Sequence, residues 1–174
     1  SGLVGSEMCI RDRYNDEEGL CRPFTYITQI DSDNYLMKVD DAVSSTWDIS
    51  DLKVGKVKSS FKNPNRTEEY SYTPFDFIQC VCDTTLIVAY KYMDRLEYYS
   101  IKDYRIYPLF AMGSHTNQAD IQDYNYLMQY YLDVAPHNGF FYCLKSDDGM
   151  ESGNIIEVYD VQGECRESYL SVSY

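Results

Sequence analysis

The sequence predicts an all-β chain, a partial β-propeller made of about three four-stranded antiparallel blades. Three observations predict it: a seven-residue pattern that recurs three times, a second strand ahead of each copy, and a tyrosine-rich composition without a long helical period. Tyrosine occurs 19 times against 7 Phe and 1 Trp. It combines high β-propensity with a polar tip, so it suits half-buried strands. With 9 Gly and 5 Pro the chain is neither low-complexity nor disordered in composition. A length of 174 residues allows one domain or a piece of one.

The recurring pattern is Trp47-Asp-Ile-Ser-Asp-Leu-Lys53, then Leu96-Glu-Tyr-Tyr-Ser-Ile-Lys102, then Ile156-Glu-Val-Tyr-Asp-Val-Gln162. Trp47, Leu96 and Ile156 align, as do Ile49, Tyr98 and Val158, and alternation at period two places both columns on a core face. Asp48, Glu97 and Glu157 fall on the opposite face, toward solvent or a neighbouring groove. Asp51, Ser100 and Asp160 end the strand, because such side chains bond their own backbone in a turn.

A strand precedes each copy: Tyr35–Val39, Thr85–Tyr92 and Phe140–Leu144. The connection between the two is tight at Met93-Asp94 and longer at Ser146–Gly153. Further strands are expected upstream at Phe24–Ile30, Pro74–Cys80 and Tyr126–Val134, and downstream at Lys56–Phe61, Arg105–Leu109 and Glu164–Leu170. The blades then span about 24–61, 74–109 and 126–171, within a region 14–174. Asp120–Gln129 has the length for a turn or two of helix. A β-sandwich is the structural alternative, since it also shows many short strands. Recurrence of one strand in all three units favours blades, because sandwich strands need not resemble each other.

With these residues in view, the chain resembles the TolB-like six-bladed propellers of Bacteroidetes. The likeness rests on Asn138-Gly-Phe-Phe-Tyr-Cys-Leu144 followed by Asn154-Ile-Ile-Glu-Val-Tyr-Asp-Val-Gln-Gly163, with Asp83-Thr-Thr-Leu-Ile-Val-Ala-Tyr90 as the preceding blade. It covers roughly Phe24 to Tyr174. The resemblance implies an exported or lipid-anchored binding or scaffold protein, located in the periplasm or cell envelope. A six-bladed ring needs about twice this length, so the expectation is a fragment of a larger protein. An oligomer of half-rings is the alternative. Val4-Gly-Ser-Glu-Met-Cys-Ile-Arg-Asp-Arg13 resembles a translated sequencing-adapter read, so Ser1–Arg13 is set aside as an artefact or a disordered segment.

Charge and cysteine content narrow the function classes. The formal net charge is −13. Affinity for phosphate needs clustered Lys and Arg, which argues against nucleic acid and against an anionic membrane surface. The plain consequence of the acidity is solubility; a cationic partner or Ca²⁺ on a carboxylate cluster is the alternative. No run approaches the roughly 20 apolar residues of a membrane span. The six cysteines, at 9, 21, 80, 82, 143 and 165, form no C-x-x-C pair and lie far from the two histidines. A structural zinc site is therefore poorly supported, and buried free thiols are expected. Cys80 and Cys82 share one strand face and are not placed to bridge each other.

The candidate sites each have a simpler reading. Asp31-Ser-Asp33-Asn34 lacks the Gly and distant Glu of a calcium loop and reads as a turn. Asp147-Asp-Gly-Met-Glu151 reads as a solvated hairpin tip, and Asp40-Asp41 likewise. Ser114, His115 and Asp120 are near in sequence, but adjacency does not build a nucleophile–base geometry, and no G-x-S-x-G elbow exists. His137 before Asn138-Gly139 reads as a turn residue. The pairs Tyr98-Tyr99 and Tyr130-Tyr131 offer a stacking platform for sugars or peptides, with one ring of each pair inside and one outside. No catalytic, cofactor-binding or metal-ligating residue is assigned, and no cofactor is expected. The expected function is a non-catalytic binding or scaffold propeller for a protein, peptide or carbohydrate ligand. A fragment of a propeller-type hydrolase or lyase is the alternative, and it would need His or carboxylates recurring in register at a channel end.

Overall fold

The computed structural model describes residues 24–40, 45–63, 76–113, 129–146 and 154–171. Among these residues the chain is all-β, with three four-stranded antiparallel sheets, the blades of a partial propeller, and no helix. The first sheet runs β1 (Tyr26–Gln29), β2 (Asn34–Asp40), β3 (Ser45–Asp51) and β4 (Lys56–Lys62) in spatial order. The second runs β5 (Phe77–Cys82), β6 (Thr85–Tyr90), β7 (Arg95–Lys102) and β8 (Arg105–Gly113). The third comprises β9 (Tyr131–His137), β10 (Phe140–Ser146), β11 (Asn154–Asp160) and β12 (Cys165–Ser171). Each sheet is a meander of sequential hairpins, the arrangement anticipated from the repeat.

Strand pairing confirms the columns of that repeat. Leu36 lies opposite Ile49, Ile87 opposite Tyr98 and Tyr142 opposite Val158. A bulge then falls at one place in the first and third sheets. It separates Ile49 from Ser50 and leaves Lys58 over, and it separates Val158 from Tyr159 and leaves Arg166 over.

Two strands are longer than expected. β8 continues past Leu109 to Gly113, and β9 continues past Val134 through Pro136 to His137. Both are the outermost or first strand of their sheet. A proline's missing N–H is harmless on such an edge. The expected starts at Pro74 and Tyr126 lie outside the described residues, as does the helical turn over Asp120–Gln129.

The chain divides into two compact units. The first holds the first sheet together with Asp103–Arg105. Leu36, Met37, Trp47 and Ile49 are buried there, and Trp47 stacks on Phe61 with ring centres 5.8 Å apart. Ser59 Oγ donates to the Tyr104 carbonyl within this unit, and Lys58 Nζ lies 4.0 Å from the Tyr104 ring centre.

The second unit holds the second and third sheets, which share one hydrophobic core. Cys80, Ile87, Ala89, Leu96 and Tyr98 face Tyr131, Val134, Phe141, Cys143 and Tyr159. The sheets come closest along their first strands, β5 and β9, as blades set around a common axis do. Tyr98 stacks on Phe110 at 4.4 Å and meets Phe141 edge-on at 6.0 Å. Gly163, at φ +81°, lets the turn before β12 approach this edge: a Cβ there would stand 2.6 Å from Phe110 and 2.7 Å from the Met112 sulfur.

Two expectations about exposure are corrected. Tyr98 and Tyr99 are both buried rather than one inside and one outside, and Tyr131 is buried beside a half-buried Tyr130. Asp48 and Glu97, for which solvent was one expected environment, are 1% and 4% exposed. The common cause is that both faces of these sheets are covered, so alternation separates two cores rather than core from water.

Candidate functional site

The connections of each meander alternate between its two ends. At one end of each sheet lie short turns: 30–33 and 52–55, Asp83-Thr84 and Asp103-Tyr104, Asn138-Gly139 and 161–164. At the other end lie two four-residue connections, 41–44 and 91–94, and three longer ones, 63–76, 114–130 and 147–153. Long connections are where a rigid β scaffold carries recognition residues. The described residues at that end therefore form the candidate site.

The short turns are explained by local chemistry. Asp31 Oδ1 accepts from the backbone N–H of Asp33 and Asn34 at 3.1 and 3.0 Å and from the Asn34 side chain at 2.7 Å. These bonds, led by the Asn34 side chain, hold its carboxyl below the usual range. The Asp31–Asn34 segment is thus the expected turn. Asp51 Oδ1 accepts from the Lys53 and Val54 amides, and Asp160 Oδ1 from those of Gln162 and Glu164. Blade two has Ser100 in that column. It turns instead through Asp103 and Tyr104, both at positive φ, a two-residue loop that closes a hairpin without a capping acid.

At the long-connection end of the second unit, charges meet in pairs. Lys145 Nζ lies 3.1 Å from Asp94 Oδ1 and 3.8 Å from Glu157 Oε2. Tyr131 donates to Asp94 Oδ1 at 3.3 Å, and Tyr159 donates to Glu157 Oε2 at 2.7 Å. Asp94 comes from the β6–β7 connection and the others from the third sheet, so the cluster ties one blade to the next. Glu97 receives Tyr90 at 3.0 Å and Tyr99 at 2.6 Å on Oε2, and Arg95 Nε at 2.8 Å on Oε1. In the first unit, Asp40 accepts from Thr25 at 2.7 Å and Ser45 at 2.5 Å and pairs with Lys38 at 3.1 Å.

These groups have defined chemical limits. Burial first, then the charge or hydrogen bonding of the neighbouring glutamate, pushes the Tyr99 and Tyr159 hydroxyls up. They remain protonated near neutral pH and act as donors. The Lys145 ammonium is flanked by two carboxylates. The cluster can hold and orient side chains at the junction of the second and third sheets.

The structure brings together few of the residues singled out from sequence. His137 ends β9 as an exposed strand residue rather than a turn residue, with a ring nitrogen 3.0 Å from Asn138 Nδ2. Ser114, His115, Asp120, Asp41 and Asp147–Glu151 lie outside the described residues. Cys80 and Cys143 are buried free thiols and Cys82 is half-buried, but Cys165 is exposed, contrary to expectation, because it opens the outermost strand. Cys9 and Cys21 lie outside the described residues. Among the described residues no three His, Cys, Asp or Glu side chains are grouped to hold a metal. No helix among them is long and apolar enough to cross a membrane.

Sequence reading missed the partners of the acid column, although a signal was present. Glu97-Tyr-Tyr99 and Glu157-Val-Tyr159 repeat an acid and a tyrosine two apart, and strand geometry puts such a pair on one face. Asp94 beside Lys145 had no sequence signal, since the two meet only when blades pack.

No family model matches the chain, and no curated protein matches it. One chain of an S. cerevisiae assembly of a Dbp5 variant with Nup159, a Gle1 variant, IP6 and ADP is similar to it at 12% identity and a TM-score of 0.43. The alignment covers 83% of this chain and 36% of that one, so this chain spans about a third of that chain's length.

Proposed function

We propose that the chain is a non-catalytic binding or scaffold module, part of a larger six-bladed, TolB-like propeller that takes a protein, peptide or carbohydrate ligand. The observation that carries this reading is that the connections longer than four residues, 63–76, 114–130 and 147–153, all leave their sheets at the end opposite the short turns. The paired charges around Asp94, Lys145 and Glu157 support it, since they fix the junction of the second and third sheets. By the same resemblance, the working location is the periplasm or cell envelope.

Two experiments test the reading. Sequencing the source locus across both ends of the frame should add about three further blades and an export signal; a frame confined to these residues sinks the larger-ring proposal. Thermal-shift screening against glycan and peptide libraries should find a ligand whose effect is lost in Lys145→Glu and kept in Asp33→Ala, at the short-turn end. A ligand equally sensitive to both, or a turnover of the ligand, overturns the binding assignment at that end.

A further inference from the structure

We infer that the outward face of the third sheet is an open interface, and that its occupant is a further antiparallel sheet, the next blade of the ring. This rests on the larger-propeller reading above and adds where the ring continues and through which residues.

The junction of the second and third sheets defines the type of interface. The second sheet contributes the column of Ile87, Ala89, Leu96 and Tyr98, each at most 1% exposed. The third sheet answers with Phe141, Cys143 and Tyr159 from its nearer face. Such a joint is directional: one kind of face meets the other kind, so it can be repeated from sheet to sheet.

Register carries the first kind of face onto the third sheet. Ile87 pairs with Tyr98 and Ala89 with Leu96; at the equivalent positions Tyr142 pairs with Val158 and Leu144 with Ile156. Alternation turns these four residues away from the second sheet. Phe140 and Tyr169 extend the same face, Phe140 along β10 and Tyr169 opposite Ile156. Of the six only Val158 is buried; Phe140, Tyr142, Leu144 and Ile156 are half-buried, and Tyr169 is 51% exposed. Positions that the second sheet covers completely are thus apolar and partly open on the third.

The chemistry of the face selects the occupant. A sugar or polar peptide needs hydrogen-bond partners that Leu144, Ile156 and Val158 lack, whereas a sheet stacked about 10 Å away covers them with apolar side chains. Among the described residues a second copy of the chain has no matching face to offer. The side that corresponds to Phe141, Cys143 and Tyr159 is already buried at Met37 and Asp48 on the first sheet and at Val88 and Glu97 on the second. On the third sheet it lies in the junction itself. The occupant is therefore a sheet beyond these three.

The test is hydroxyl-radical footprinting with peptide mass mapping, on this 174-residue chain and on the chain encoded by the whole source frame. In the shorter chain Tyr142 and Tyr169 should label, as should Tyr107, which is exposed on β8. In the longer chain Tyr142 and Tyr169 should lose most of their label while Tyr107 keeps it. Tyr169→Lys, at an exposed position, should leave the circular dichroism melt of the shorter chain unchanged and restore labelling of Tyr142 in the longer one. Undiminished labelling of Tyr142 and Tyr169 in a longer chain that contains further blades overturns the inference and leaves the larger-ring reading standing. A frame without further strands overturns both. Protection already present in the shorter chain also overturns it: if independent of concentration, the chain's own segments cover the face, and if it grows with concentration, a second copy does.

Discussion

Arg166, the residue left over by the bulge in β12, folds back onto Asp160, with Nε and an Nη nitrogen 2.8 and 2.5 Å from Oδ2. The other carboxylate oxygen takes the amides of Gln162 and Glu164. The first blade repeats the device: Lys58 is the leftover residue of β4, it pairs with Asp51 at 3.6 Å, and Asp51 caps its own turn. The bulge re-aims a basic side chain toward the turn acid, so the turn and the irregularity in the strand are one unit.

This unit sets a pH dependence. Burial pushes the Asp160 carboxyl up, but the Glu164 amide, the Arg166 guanidinium and the Gln162 amide outweigh it and hold the value below the usual range. A depressed folded value contributes stability above the ordinary carboxylate pKa of about 3.9, and that contribution is lost as pH falls through the folded value. Melting temperature should therefore drop as pH is lowered below about 4. Asp160→Asn should melt lower than the parent at pH 7 and lose less on acidification, as followed by circular dichroism.

Glu97 accepts from Tyr90, Tyr99 and Arg95, and its loss should be felt as an unbalanced charge. Glu97→Gln keeps the shape but leaves the Arg95 guanidinium opposite a neutral amide in a buried setting. Destabilisation of about 3 kcal/mol is expected in urea unfolding. Adding Arg95→Gln should recover part of it, because the remaining groups are neutral.

Thiol reactivity should follow burial. Desolvation pushes the Cys143 thiol up to about 12, and the Cys80 thiol rises for the same first cause. Cys165 is exposed. Timed labelling with a maleimide followed by peptide mass mapping should modify Cys165 ahead of Cys80, Cys82 and Cys143. Cys80 and Cys143 should react only in denaturant.

Gly113 should tolerate no side chain. It sits at φ +86°, and a Cβ would fall 1.8 Å from the Asp94 carbonyl oxygen, a backbone atom that cannot swing away. Gly113→Ala should destabilise the second unit by on the order of 3 kcal/mol. It should also displace Asp94 from Lys145, visible as a shifted lysine resonance in NMR.

The sequence alone was enough for the twelve strands, their grouping into three meanders and the turn acids Asp51 and Asp160. Each of these rests on local physics: period-two alternation, hairpin turn chemistry and a repeat that states the same solution three times. Only the tertiary structure decided which environments the two faces meet. Alternation divides Tyr98 from Tyr99 and Ile49 from Asp48, but it does not say whether a second layer covers each face. Packing of one blade on the next brought Asp94 to Lys145 and Tyr98 to Phe141 across residues distant in sequence.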